Sequence, residues 1–291
     1  MIRTDLTNAD YHARDEISKS GLDLIAKSPA HFRIGWRGIG SDAARVGTAL
    51  HAVVLERGAG LVTMPNVSKR SKADRARWSE WFEEHGADPD IVELPAAAWL
   101  GRFEETTGLT AVSEEERDTL GQMSHSILAN PIAGPLLDAE GVAEASIITE
   151  LHGVPFRARP DWISEAGAVP TLIDVKTTID ASKHEFRRSA ARYRYGVQDA
   201  AYSAAYQVEK GIAPRFLFVV VEKSPPFPCA VYGLDMDAIA HGEYLLERDL
   251  ATYRRCLESD TWPSYPDDLE LDLPVYDPAP EIAITVNGEA A

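Results

Sequence analysis

VPFRARPDWISEAGAVPTLIDVKTT, residues 154 to 178, reads as two β-strands joined through a Glu165-Ala166-Gly167 turn. Both runs are rich in Val, Ile, Phe, Trp and Thr, and the segment between them carries the small and polar residues that end strands. Working outward, VAEASIITE from residue 142, closed by His152-Gly153, supplies another strand on the N-terminal side. On the C-terminal side a long helical segment runs from about 183 to 210. It is followed by the apolar strand RFLFVVVEK (215 to 223), a strand near 229 to 234 and a helix from about 235 to 258. The order β-β-β-α-β-β-α predicts an α/β (α+β) fold with a mixed central sheet flanked by helices.

Ahead of residue 141 the patterns are mainly helical. Residues 18 to 28 form a short helix with Leu22, Leu24 and Ile25 as its apolar residues, and Ser28-Pro29 offers an N-cap followed by proline for a second. In 42 to 56, Val46, Leu50, Val53 and Val54 recur at helical spacing, with Gly47 and His51 along the edge of the stripe. From 61 to 112 the pattern weakens to one helix around Trp78, Trp81 and Phe82, amid what reads as loop or insertion. Ser113 and Glu116 then make a capping box for a helix carrying Leu120, Met123 and Ile127, which Asn130-Pro131 ends. We therefore expect one elaborated domain over 1–258, helical to about 140 and sheet-based from about 141. A Pro- and Asp-rich tail, extended or partly disordered, would cover 259–291. There is no internal repeat.

The 291 residues are 45% hydrophobic and 26% charged, enough to bury a substantial core. No stretch reaches the roughly 18 apolar residues that cross a bilayer, and MIRTDLTNAD lacks a signal-peptide layout, so a cytoplasmic protein without a membrane partner is expected. Cys229 and Cys256 are too few for an all-cysteine metal centre and are not spaced as a redox pair. The net charge of −17 argues against a nucleic-acid partner only until its distribution is seen. No Lys or Arg follows Arg255, where nine acidic residues lie, leaving −8 for the rest. A metal-dependent nuclease also keeps carboxylates in its site.

Asp161, Asp174 and Lys176 are the residues that suggest chemistry. Positions two apart on a strand share a face, so Asp174 and Lys176 point to one side, and hairpin pairing would bring Asp161 to the same end of the sheet. Two hard oxygen donors beside a cation suit Mg²⁺, with Mn²⁺ as a substitute, and phosphodiester hydrolysis needs those parts. A lysine there can position or deprotonate the attacking water. The plain alternative is a surface ion pair, against which stand the apolar neighbours Leu172, Ile173 and Val175.

Gln198 and Tyr202, four apart on the next helix, can both reach a phosphate or a metal-bound water; otherwise Tyr202 is core and Gln198 exposed. Lys183, Arg187, Arg188, Arg192 and Arg194, interleaved with Tyr193 and Tyr195, form the most basic stretch and read equally as a DNA-binding surface or a solvated helix face. His51 by itself reads as a structural residue at a core boundary. Glu144, on the first strand of the β region, is either a site acid or an exposed strand residue.

GTALH (47 to 51), RPD (159 to 161), DVKTT (174 to 178) and YRYGVQDAAYSAAY (193 to 206), with SKSGLDLIAKSPAHF near the start, resemble the RecE-type exonucleases: exodeoxyribonuclease VIII and its phage relatives, of the PD-(D/E)xK nuclease superfamily. The likeness runs in order from about 18 to 206 and is weakest from 61 to 140. It implies an enzyme that degrades linear double-stranded DNA from the 5′ end and leaves a 3′ overhang for recombination through a single-strand annealing partner of RecT type. It also implies a ring-shaped homo-oligomer threaded by DNA. Carried over residue by residue, it implies that His51, Asp161 and Asp174 ligate the metal with the Val175 carbonyl, that Lys176 is catalytic, and that Gln198 and Tyr202 form the Q-x-x-x-Y element. Glu144 matches an acidic position of the same sheet. The acidic total departs from the pattern, and so does the lack of the large N-terminal extension of some relatives, which suggests a compact phage- or prophage-like version. Two other readings stand beside this one: a structure-specific endonuclease or RecB-like nuclease module, and a catalytically silent DNA-binding relative.

Overall fold

A computed structural model describes residues 1–35, 42–55, 58, 60–68, 71–94 and 96–267, together with a short pair of strands near the C-terminus. Most of the acidic tail therefore lies outside the described residues. The N-terminal half comprises β1 (Ile2–Arg3), α1 (Asn8–His12), α2 (Lys19–Lys27), α3 (Pro29–Arg33), α4 (Asp42–Val54), β2 (Leu61–Thr63), α5 (Lys72–Glu84), a 3-10 turn (Pro89–Glu93), α6 (Ala96–Thr107), β3 (Thr110–Val112), α7 (Glu114–Ala129) and α8 (Ala133–Asp138). The sheet-bearing half adds β4 (Gly141–Ala143), β5 (Ser146–Leu151), β6 (Val154–Ala158), β7 (Trp162–Ser164), β8 (Thr171–Thr178), α9 (Lys183–Arg192), α10 (Tyr195–Lys210), β9 (Arg215–Glu222), β10 (Cys229–Tyr232) and α11 (Met236–Ser259).

The main sheet has the order β10-β9-β8-β7-β4, in which β8 and β9 are parallel and the other neighbours antiparallel. A mixed sheet flanked by helices is what the element order implied. Strand β8 is buried on both faces, and its alternation sorts the residues: Leu172 joins the core under α2, α10 and α11, while Ile173 and Val175 join the core under α4 and α7. Asp174 and Lys176 thus share the face of Leu172, as period-two spacing requires. Of the sequence-predicted caps, the Ser113–Glu116 capping box is present on α7, whereas Ser28, followed by Pro29 at the start of α3, makes no side-chain capping bond to the backbone because its hydroxyl meets His31 Nδ1 at 2.6 Å; Ser18, which the sequence reading did not single out, caps α2.

Four readings need correction. VPFRARPDWIS is not one strand: β6 pairs with β5 in a smaller β1-β5-β6 sheet, β7 belongs to the main sheet, and Asp161 lies in the bend between them. VAEASIITE likewise divides into β4 and β5, so Glu144 is not on a strand; it occupies the bend at φ 50°, where the chain passes from one sheet to the other. The helix expected from 183 to 210 is two, broken where Arg194 adopts φ 55° and ψ 46°. The run carries no proline, and its Gly196 stands after the break, so the kink has no local signature; it depends on residues far away in sequence. Finally, 61 to 112 is more than loop. Strands β2 and β3 pair in parallel, and Trp78, Trp81, Phe82, Trp99 and Phe103 form a separate aromatic core with α5 and α6.

Helices α10 and α11 cross with Gly196 and Gly242 in contact. A Cβ built on Gly242 would stand 2.2 Å from the Gly196 carbonyl oxygen, so the crossing needs glycine there. Among the described residues no helix is long and apolar enough to cross a membrane.

Candidate active site

The site forms where β7, β8, the Glu144 bend and α4 meet. Antiparallel pairing sets Trp162 opposite Ile173, which carries the preceding Asp161 beside Asp174 and Val175. Asp161 is buried and its Oδ2 accepts the Val175 amide at 2.6 Å. From α4, His51 brings Nε2 to 3.1 Å from the Val175 carbonyl and 3.3 Å from Asp161 Oδ2, with Nδ1 3.6 Å from Glu144 Oε1. One ligand atom from each of His51, Glu144 and Asp161 falls within 4.8 Å of the others.

Asp174, 3% exposed, faces the other side of this group. Its Oδ1 accepts a hydrogen bond from the Gln198 amide. Its Oδ2 meets only Lys176 Nζ, at 2.6 Å, in an ion pair outside hydrogen-bond geometry. Gln198 is thus buried and bonded to the site rather than exposed, and Tyr202, one turn on, lines the same space. Helix α10 is placed to do this because its Val197, Ala201 and Ala205 pack into the core, leaving Gln198 aimed at the sheet edge.

Burial raises the proton affinity of Asp161, opposed by His51 and reinforced by Asp174. For His51, burial disfavours the imidazolium, but Asp161, Glu144 and the Val175 carbonyl outweigh it and the net shift is upward. For Lys176 burial likewise opposes the charge, while Asp174 and Asp161 raise its pKa to about 12. Burial also holds Tyr202 well above the ordinary phenol range. Three clustered carboxylates, one with an oxygen lacking a hydrogen bond, make a site short of positive charge.

These residues fit a divalent cation. One imidazole, carboxylate oxygens and a main-chain carbonyl form a hard donor set, and His51 Nε2 lies from Asp161 Oδ2 and the Val175 carbonyl at spacings close to the about 3 Å edge of an octahedron with ~2.1 Å bonds. All residues that the sequence singled out for the centre come together here. Glu144, expected as a secondary acid, stands in the tight group with His51 and Asp161, whereas Asp174 pairs with Lys176 and Gln198 beside it.

A model of the PDDEXK-like domain of unknown function (DUF3799) matches residues 102–271. This chain belongs to that family. The matched range spans Asp161, Asp174 and Lys176 but not His51, whose place in the site rests on geometry. No curated protein matches the chain in sequence. Among solved structures, a protein from Eubacterium rectale described as a candidate exonuclease is similar at 13% identity and a TM-score of 0.57, covering 96% of this chain and 99% of its own. That likeness is one of fold. An alkaline exonuclease from Laribacter hongkongensis aligns at 15% identity over 72% of this chain and 94% of its own; its TM-score of 0.28 carries no argument.

Two cavities meet at this cluster. One, of about 1320 Å³, contains Asp174, Lys176 and Gln198; the other, of about 690 Å³, contains His51 and Glu144, and Asp161, Arg159 and Tyr202 border both. The basic stretch divides between surfaces. Arg192 and Arg194 line the larger cleft, whereas Lys183 and Arg187 line a separate cavity between α9 and α11 that Arg194 also borders. Arg188 is exposed and meets Glu185 at 3.4 Å. Arg194 is held by Asp23 at 2.9 Å and by the buried Asp249, so its charge is engaged inside the fold. The cleft has cations that the sequence reading missed: Lys19, Arg159 and Lys223. Lys19 and Arg159 lie in the SKSG and RPD segments, so a signal existed for those two. Lys223 had none, because only the parallel pairing of β8 and β9 brings it to the cleft.

Proposed function

We propose that this protein is a Mg²⁺-dependent exonuclease that degrades linear double-stranded DNA from the 5′ end, producing 3′ single-stranded overhangs for recombination by strand annealing. The observation that carries the nuclease reading is the convergence of His51, Glu144, Asp161 and the Val175 carbonyl at one end of a cleft, with Asp174, Lys176 and Gln198 beside them. Polarity, the RecT-like partner, the ring-shaped oligomer and a phage or prophage origin follow from the RecE-type resemblance and are part of the proposal.

His51, Asp161, Asp174 and the Val175 carbonyl would hold the cation, with Glu144, in the tight group with His51 and Asp161, as a further donor. The metal, when bound, supplies a Lewis acid that polarises the phosphate and acidifies water. Gln198 fixes one oxygen of Asp174 and Lys176 meets the other, so the carboxylate keeps a single orientation. Lys176, paired with Asp174, would orient the attacking water and balance charge growing on the phosphate. Mn²⁺ has the same donor preference and should substitute.

The test is digestion of a linear duplex labelled at either the 5′ or the 3′ end, with Mg²⁺ and with chelator, beside a covalently closed circle. Metal-dependent loss of the 5′ label with the circle intact is the expected outcome, and Asp174→Ala should abolish cleavage with the circular-dichroism spectrum unchanged. A cut circle would identify an endonuclease instead. Undiminished cleavage by Asp174→Ala would remove the site assignment.

A further inference from the structure

Residues 193 to 195 break what the sequence reads as one helix. Arg194 sits in the left-handed region, which residues other than glycine rarely enter. It is held there by Asp23, by the Leu22 carbonyl at 3.3 Å and by the buried Asp249, while the Lys19 ammonium donates to the Tyr193 carbonyl at 2.8 Å. A non-helical conformation secured from several elements points to a function for what it displays.

What it displays is an aromatic ladder. Tyr195 stacks on the fully buried Phe218, centroids 5.3 Å apart at 24°, and Tyr193 stacks on Tyr195 at 5.9 Å and 26°. The ladder is rooted in the core and ends at Tyr193, which is 52% exposed and lines the larger cleft, as does Tyr195. Cations bracket it: Lys176 Nζ lies 5.0 Å and Lys19 Nζ 6.0 Å from the Tyr195 ring centre, and the Arg192 guanidinium is 5.7 Å from that of Tyr193. Flat rings beside cations, in a cleft ending on phosphodiester chemistry, suit unpaired bases with their phosphates. Bases within a duplex already stack on one another and offer no free face.

We propose that Tyr193, backed by Tyr195, forms a stacking platform for unpaired bases, so that the strand reaches Asp161 and Asp174 single-stranded. The inference rests on the nuclease reading for the destination of that strand, and the platform itself can be tested without cleavage.

In chelator, the affinity of wild type, Tyr193→Ala, Tyr193→Phe and Tyr193→Trp for a short single-stranded dT oligomer is measured by fluorescence anisotropy across a salt series. Tyr193→Ala should bind about tenfold more weakly, with Phe and Trp restoring affinity, because a base stacks on any aromatic ring. The slope of log affinity against log salt should stay unchanged, since no phosphate contact has been removed. A second measurement on wild type alone is independent of any folding defect: 2-aminopurine within a single strand should be quenched on binding. Equal affinity of the Ala variant, failure of Phe to restore it, unquenched 2-aminopurine, or no single-strand binding by wild type would each overturn the platform. So would preference for a fully paired duplex insensitive to Tyr193→Ala, which would mark a backbone-binding face. A wild-type protein that stacks single strands yet cleaves nothing with Mg²⁺ would leave the platform standing and remove the nuclease.

Discussion

Gln198 shows what a single residue can do at this centre. Its amide donates to Asp174 Oδ1 in a buried setting, so removing it frees the carboxylate to rotate and leaves that oxygen without its partner. Such supporting hydrogen bonds around metal-centre carboxylates typically matter by 10- to 100-fold. We expect Gln198→Ala to lower kcat in roughly that range with little change in KM, measured by steady-state digestion of a linear duplex. The next residue, Asp199, faces away from the site, is buried, and receives a hydrogen bond from Ser203 at 3.0 Å. Burial, partly offset by Ser203, raises its pKa to about 6. A carboxyl that holds its proton more tightly when folded stabilises the protein at low pH and costs stability as pH rises from about 4 through about 6. Asp199→Asn should therefore raise the unfolding free energy by up to about 3 kcal/mol at pH 7.5 and by little near pH 4. Urea titrations at the two pH values check this, and an equal effect at both would contradict it.

At the scale of elements, two close approaches govern how the catalytic helix is presented. The Gly196–Gly242 crossing lets α10 lie against α11, and a methyl group on Gly242 would collide with main chain rather than with a movable side chain. Gly242→Ala should destabilise by about 1–3 kcal/mol through forced separation of the helices, and it should reduce cleavage because α10 carries Gln198. A variant with wild-type stability in thermal melts would show that the crossing relaxes freely. The kink at Arg194 makes the companion point. An uninterrupted helix from 183 to 210 would satisfy local propensity, but Asp23 on α2 and Asp249 on α11 hold the guanidinium where the chain turns. Asp23 and Asp249 stand 171 and 55 positions from Arg194 in the chain and cannot be read from a window of about ten residues; the kink finds its partners only where α2 and α11 pack around it.

For the whole molecule, the carboxylate excess at the centre links metal binding to stability. A cation that binds the folded protein but not the unfolded chain stabilises it by about 2.7 kcal/mol at a hundred times its Kd, which corresponds to a Tm rise of roughly 4–5 °C for a protein of this size. Mg²⁺ or Mn²⁺ should raise Tm and chelator should reverse the rise. His51→Ala, Glu144→Gln and Asp161→Asn should each blunt the shift, whereas Asp199→Asn, outside the centre, should keep it. Scanning calorimetry across metal concentration reads this directly. A full shift in Glu144→Gln would take Glu144 out of the ligand set and leave His51, Asp161 and Asp174 as the side chains that hold the ion.

The sequence alone determined the order of helical and strand-forming regions and the face of β8 on which the chemistry lies. Asp174 and Lys176 share a side because a strand alternates, the capping box at Ser113 stands where local hydrogen bonding puts it, and apolar spacing sets the helical stripe that carries Leu50 beside His51. Tertiary structure decided everything that depends on which strand meets which. The bends at Glu144 and Asp161 move the chain from the small sheet to the main one and so create two corners for acidic side chains, yet each reads locally as continuous strand. The aromatic core around Trp78 and Trp99 spans segments whose own periodicity is weak. Lys223 reaches the cleft through parallel pairing, and Lys183 and Arg187 turn toward another cavity because their helix is short and separately oriented. Local propensity reflects the free energy of a few neighbouring residues. The site is assembled by long-range packing, whose partners become neighbours only when the chain is folded.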